Sequence, residues 1–174
     1  AAMIGRNIAP GLSRDFASKH WEFIGPEIWK EEIKKAYLAI DHDVEIKIFA
    51  SDINNRNLNA ARENAIEAGV DDCITFQNLD FKDVGYENNY GIVISNPPYG
   101  ERLNDDNEVK KIYKDMGRIF NKLDTWSKYW LTSYEKFETP YNKKADRQRK
   151  LYNGRIEARY YQYYGPRPPL PNKK

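Results

Sequence analysis

From Pro26 to Ser133, runs with the two-residue period of a strand alternate with stretches of helical period, and this alternation restricts the fold more than any other feature. In "PEIWKEEIKKAYLAI", Ile28, Trp29, Ile33, Ala36, Tyr37 and Ile40 recur at helical spacing behind Pro26, a residue suited to a first helical turn. "VEIKIFASD" then sets Val44, Ile46, Ile48 and Ala50 on one face, as a strand does. Asn54 or Asn55 suits the cap of a helix reaching Ala68, and Gly69 suits its end. "CITFQNLDF" and "YGIVIS" predict two more strands. Val109, Ile112, Tyr113, Met116, Ile119, Phe120 and Leu123 form the stripe of another amphipathic helix, and "SKYWLTS" is again strand-like. "GRIEARYYQYYG" predicts a strand pair or one long strand. Helices alternating with strands in this order predict an α/β fold with a largely parallel sheet.

The chain has 174 residues, 40% hydrophobic and 31% charged, which predicts one domain, 1–174, whose end "GPRPPLPNKK" is an extended tail over 165–174. No stretch approaches the ~18 consecutive apolar residues of a membrane span, and the start lacks the pattern of a secretory signal. A single cysteine, Cys73, rules out an internal disulfide and fits a reducing cytoplasm, and its simplest role is a small buried residue opening a strand. His20 and His42 stand apart, so no metal site is expected. Net charge is only +2, but it is unevenly spread. From Tyr141 onward ten Lys/Arg face Asp146 and Glu157, for +8, and the preceding 140 residues carry −6. Such an end suggests a polyanion-facing surface, with Lys143, Lys144, Arg147, Arg149 and Lys150 as its densest cluster. The plainer alternative is a solvated loop joining strands.

Ligands of parallel α/β sheets sit outside the carboxyl ends of the strands, so the residues after each strand are the ones to inspect. They are Asp52, Asp80 and Asn96, and the three endings fit a single site. Asp52 can accept both hydroxyls of a ribose, although an acid there also suits a helix N-terminus. Asp80 can accept an amino hydrogen of an adenine while Phe81 packs the base, although an Asp-Phe turn is common.

Asn96-Pro97-Pro98-Tyr99 is the more specific signal. An exocyclic amine is a poor nucleophile because its lone pair is delocalised into the ring. Two acceptors gripping its hydrogens, the Asn96 side-chain oxygen and the Pro97 carbonyl, would push the nitrogen toward a tetrahedral form. Prolines fix the backbone, so the second acceptor needs no ordering at the moment of reaction. Tyr99 offers a face on which an extruded base can stack.

"NPPY" after a fourth strand is similar to the catalytic loop of class I S-adenosylmethionine-dependent amino-methyltransferases. "AAMIGRNIAPGL", "FASDIN", "NPPYGERL", "IYKDMGRIF" and "KLYNGRIEARYYQYYGP" resemble one branch of it. That branch is the THUMP-containing methyltransferases of large-subunit ribosomal RNA that modify a guanine exocyclic amine, often labelled adenine-specific DNA methylases. The resemblance implies a Rossmann-like sheet, mostly parallel with a C-terminal antiparallel strand, and S-adenosylmethionine as cofactor. By motif it places the cofactor on Asp52, Ile53, Asp80, Phe81 and Asn96, the target base on Asn96, Pro97, Pro98 and Tyr99, and ribosomal RNA as partner. The family's first strand, the acidic glycine-rich loop after it and the N-terminal THUMP region have no counterpart here, so the chain resembles a C-terminal catalytic portion. Alternatives sharing the loop chemistry are adenine methylation of DNA and methylation of a protein glutamine amide. A non-enzymatic alternative is a degenerate RNA-binding module.

Overall fold

A computed structural model of the chain describes residues 1–86, 88–98 and 106–170. The chain divides into two compact units, Ala1–Asp83 and Val84–Lys174.

The first unit holds α1 (Ala2–Gly5), α2 (Pro26–Leu38), β1 (Ile48–Ser51), α3 (Asn55–Glu67) and β2 (Ile74–Gln77). Pro26 stands in the first turn of α2, and the Asn54 side chain caps α3 by accepting the Arg56 N–H at 2.9 Å. Beyond α3, Gly69 takes a positive φ of 64°, the conformation for which glycine is favoured at a helix end. β1 and β2 pair in parallel, Ile48 opposite Ile74 and Ala50 opposite Phe76. β1 is shorter than "VEIKIFASD" predicts, beginning at Ile48, and ahead of it the Val44 N–H is taken by the Asp41 carboxylate at 3.0 Å. Ala2, Ala65, Val70 and Cys73 form the buried core here, with Ile46, Ile48, Ile74 and Phe76 packed against it. Cys73 is buried as expected, in a single 3₁₀ turn just before β2.

The second unit holds β3 (Ile92–Ser95), α4 (Asp106–Phe120), β4 (Ser127–Thr132), α5 (Glu138–Tyr141), β5 (Arg147–Asn153) and β6 (Ile156–Tyr163). Their order is β3-β4-β6-β5, with β3 parallel to β4 and the other two pairings antiparallel. β4 alternates, burying Lys128, Trp130 and Thr132. Against that face pack Val109, Tyr113, Met116 and Phe120 of α4 and the rings of Phe137 and Tyr141. Each such side chain, fully buried, stabilises by about 1.5–3 kcal/mol. Lys128 is tolerated because its ammonium donates to the Leu123 carbonyl at 2.7 Å, although burial pulls its pKa down.

"GRIEARYYQYYG" is one strand, β6. Its antiparallel partner β5 is not foreshadowed by any period in the sequence. The two join through Gly154 and Arg155, and Gly154 supplies a positive φ of 63°. Arg147, Arg149 and Lys150 therefore lie on a strand, and Lys143 and Lys144 lie in the connection before it. Pro166 to Leu170 are exposed and carry no regular element. Among the described residues no helix is long and apolar enough to cross a membrane, and no group of three or more His, Cys, Asp or Glu is placed to hold a metal ion.

Candidate active site

In the first unit both acids lie at the carboxyl end of the β1–β2 pair. Asp52 follows β1 directly and is half-buried. One carboxylate oxygen accepts the Asn54 N–H at 2.7 Å, and the other accepts Asn57 Nδ2 at 3.1 Å. Its main-chain carbonyl accepts Asn78 Nδ2 at 2.9 Å. Three asparagines, at the start of α3 and just beyond β2, thus hold Asp52, and each carboxylate oxygen retains a lone pair for a further donor. Ile53 beside it is 73% exposed.

Asp80 lies three residues beyond β2, half-buried. Burial alone would raise its carboxyl pKa, but the Lys82 N–H at 3.0 Å and the Lys82 ammonium at 3.1 Å outweigh this and hold it below the usual value. The same ammonium lies 5.9 Å from the centre of the Phe81 ring. Asp80, Phe81 and Lys82 so form one small arrangement, an ionised acceptor beside a flat ring.

In the second unit β3 ends at Ser95, and Asn96 beside it is exposed while Pro97 is buried. The Pro98 carbonyl accepts the Tyr113 hydroxyl at 2.8 Å. That hydroxyl also lies 2.8 Å from Thr132 Oγ1 at the end of β4. A phenol has one proton, and Pro98 takes it, so Thr132 donates to Tyr113. Thr132 in turn accepts the Tyr134 N–H at 3.1 Å. The Asn-Pro-Pro segment is thus fastened by a buried chain from α4 to β4. Tyr99 lies outside the described residues.

Sequence reasoning missed four residues of this arrangement. Tyr113 appears there only as one apolar position of a helical stripe, and Thr132 only as a strand residue. Asn57 and Asn78 do not stand out at all. For Asn57 a signal exists, since a side chain five residues past a strand-ending acid lies in the first turn of the following helix and can reach back.

Acids at the ends of parallel strands, a strand broken by Asn-Pro-Pro, and a sheet completed by an antiparallel strand define a class I methyltransferase fold. The chain belongs to the RMKL-like methyltransferase domain family, which matches residues 1–162. It is 48% identical over 164 residues to YpsC of Bacillus subtilis, which carries the provisional name RNA methyltransferase; the match covers 94% of this chain and 43% of YpsC. It is 34% identical over 168 residues to the ribosomal RNA large subunit methyltransferase K/L of Shewanella baltica, across 94% of this chain and 24% of that protein. Among solved structures, the SMU.472 methyltransferase (also provisionally named) complexed with SAH superposes with a TM-score of 0.89 at 40% identity, over 97% of this chain and 45% of that one. A Listeria monocytogenes structure provisionally named an N6-adenine-specific DNA methylase gives a TM-score of 0.84 at 44% identity, over 95% and 42%. The chain therefore spans less than half the length of these relatives.

Proposed function

We propose that this chain is part of the catalytic domain of an S-adenosylmethionine-dependent methyltransferase acting on an exocyclic amine in ribosomal RNA, a guanine of the large subunit. The observation that carries this reading is the Asn96-Pro97-Pro98 segment, which sets an exposed amide beside a backbone fastened by Tyr113. Its family supports it, as does the SAH bound by a relative 40% identical. The large-subunit ribosomal RNA in the name of a second relative points to the substrate.

The residues present fit the cofactor. Asp52 is a pre-oriented carboxylate suited to two ribose hydroxyls, with Ile53 beside it as an apolar cover for the adenosine. Asp80 is an ionised acceptor for an adenine amino group, and Phe81 a surface for the ring. When bound, S-adenosylmethionine supplies an electrophilic methyl group on a sulfonium sulfur. The chain's own residues act on the amine. Asn96 Oδ1 and the Pro97 carbonyl accept its two hydrogens and draw its lone pair out of conjugation. Because Tyr113 holds the next carbonyl, the acceptor pair is in place before the base arrives, so little reorganisation opposes the reaction. Tyr99 is assigned the stacking face for the base. Lys143, Lys144, Arg147, Arg149 and Lys150 are assigned to RNA phosphates, and the two units to one catalytic domain.

A second reading, methylation of an adenine amine in DNA, draws on the name of the Listeria structure. One experiment separates them. The full-length protein is incubated with radiolabelled S-adenosylmethionine and either unmodified large-subunit ribosomal RNA or unmethylated DNA, and the nucleosides are resolved. Label in N2-methylguanosine is the expected result. Label in N6-methyldeoxyadenosine, or none in RNA, would overturn the RNA reading.

A further inference from the structure

The second unit carries a concavity of about 430 Å³ that none of the assigned residues uses. Four lysines line it: Lys110, Lys111 and Lys114 from α4, and Lys136 from the segment between β4 and α5. Tyr134 and Thr139 complete the wall, and no carboxylate lines it. Asp106 at the start of α4 is ion-paired with Lys110, and its pKa is lowered first by Lys110 and then by the Tyr134 hydroxyl, so its charge is already committed. Among the described residues no carboxylate lies within ion-pair distance of Lys111, Lys114 or Lys136, although Asp106 also feels the Lys136 charge. Like charges four apart, as at Lys110 and Lys114, weaken an isolated helix. With Lys110 matched by Asp106, it is Lys111, Lys114 and Lys136 that concentrate positive potential in the hollow.

The hollow adjoins the target-base segment. The Tyr134 ring packs at 5.4 Å against the Tyr113 ring, and the Tyr113 hydroxyl holds the Pro98 carbonyl. Lysine stems, Tyr134 and Pro140 give the interior an apolar lining, and ammonium groups supply charge at its edge. That combination suits a ribose-phosphate unit better than a free inorganic anion, which would have nothing to cover the apolar wall.

We propose that this four-lysine hollow holds the phosphodiester backbone of the RNA substrate next to the extruded base. The inference rests on the RNA reading above and extends it to a surface apart from β5. Phosphate contacts position a substrate without reading its sequence, so the hollow sets the register of the strand and leaves base choice to the Asn96 segment.

The test uses the full-length protein with Lys111, Lys114 and Lys136 replaced together by Gln, and in a second variant by Arg. Binding of an oligouridylate 20-mer and of a large-subunit ribosomal RNA transcript is titrated at several salt concentrations. The Gln variant is expected to bind both RNAs at least about 10-fold more weakly near 0.1 M salt, and its salt slope to fall by about 2, at roughly 0.7 for each phosphate no longer held. KM for RNA should rise while kcat at saturating RNA is kept, and the Arg variant should restore binding. Unchanged slope and KM in an enzyme that methylates RNA would overturn the hollow and leave the RNA reading standing. Equal loss of binding to polyglutamate would overturn it too, as a general anion patch. Failure of the unsubstituted protein to bind or methylate RNA would overturn both.

Discussion

Asn96 and Pro97 differ in burial although they are neighbours, and the difference suits their assigned tasks. An exposed amide can meet a base, and a buried proline keeps the backbone beside it fixed. Asn96→Ala in the full-length protein is expected to lower turnover on the order of 10²-fold or more, with a far smaller effect on cofactor affinity. Steady-state kinetics on unmodified ribosomal RNA checks this, and wild-type turnover would remove Asn96 from the chemistry. Asp52 is held by Asn54 and Asn57, so its carboxylate is ready to accept without first having to be ordered. Asp52→Ala should weaken S-adenosylmethionine binding by roughly 1.5–3 kcal/mol, the range for a hydrogen bond to a charged group. Calorimetry giving equal affinities would refute the ribose assignment.

At the scale of elements, α4 presses on α5 where Gly117 meets the Tyr141 main chain. A Cβ at position 117 would fall inside contact distance of the Tyr141 carbonyl, and neither backbone can yield easily. Gly117→Ala is therefore expected to destabilise the protein by about 1–3 kcal/mol, as overpacking does. Urea unfolding measures it, and a loss under about 0.5 kcal/mol would mean that the helices part easily. β5 poses a different question. Residues 147–152 are exposed, and charged residues on an edge strand also discourage pairing with other chains. Lys150 is already bound to Glu157 at 2.7 Å, whereas Arg147 and Arg149 alternate onto one face of the strand. Replacing Arg147, Arg149 and Lys150 with Gln should lower the RNA salt slope by about 0.7 for each phosphate released, with Lys150 contributing least. An unchanged slope, with more aggregation, would make β5 a guarded edge and nothing more.

For the molecule as a whole, stability at alkaline pH follows from the aromatic core of the second unit. Burial raises the Tyr141 hydroxyl to about 12, although the Trp130 indole works in the opposite direction, and burial raises Tyr163 as well. The Tyr141 hydroxyl and Trp130 Nε1 face each other without a well-formed hydrogen bond. Above the ordinary tyrosine pKa of about 10, the unfolded chain releases these protons and the folded chain keeps them. The stability they contribute is thus complete below about pH 10 and is lost as pH rises toward 12. Tyr141→Phe should remove about 2 kcal/mol of that alkaline loss, at roughly 1.4 kcal/mol per pH unit. Urea titrations of the full-length protein between about pH 9 and 12 check it, and parallel curves for the two proteins would contradict it.

The sequence by itself determined the features that rest on local chemistry. Pro26, Asn54 and Gly69 set helix ends through the conformations and hydrogen bonds that their own side chains allow. β3 ends at the Asn-Pro-Pro segment because proline cannot donate to a ladder. Helical and strand periods located α2, α4, β4 and β6; in α4 and β4 the period is that of a buried face, whereas α2 buries none of its residues. Tertiary structure alone decided the rest. β5 left no trace because an edge strand with no buried face needs no apolar alternation, and "RQRKLYN" reads as polar chain until β6 pairs with it. Tyr113 had the spacing of a core residue, and only the fold carries its hydroxyl to Pro98 and Thr132. The four lysines of the hollow are separated by up to 26 residues and come from two elements, so their shared charge exists only once α4 packs beside the end of β4. Periods and caps act between neighbours in the chain, whereas Coulomb fields and hydrogen bonds act between neighbours in space.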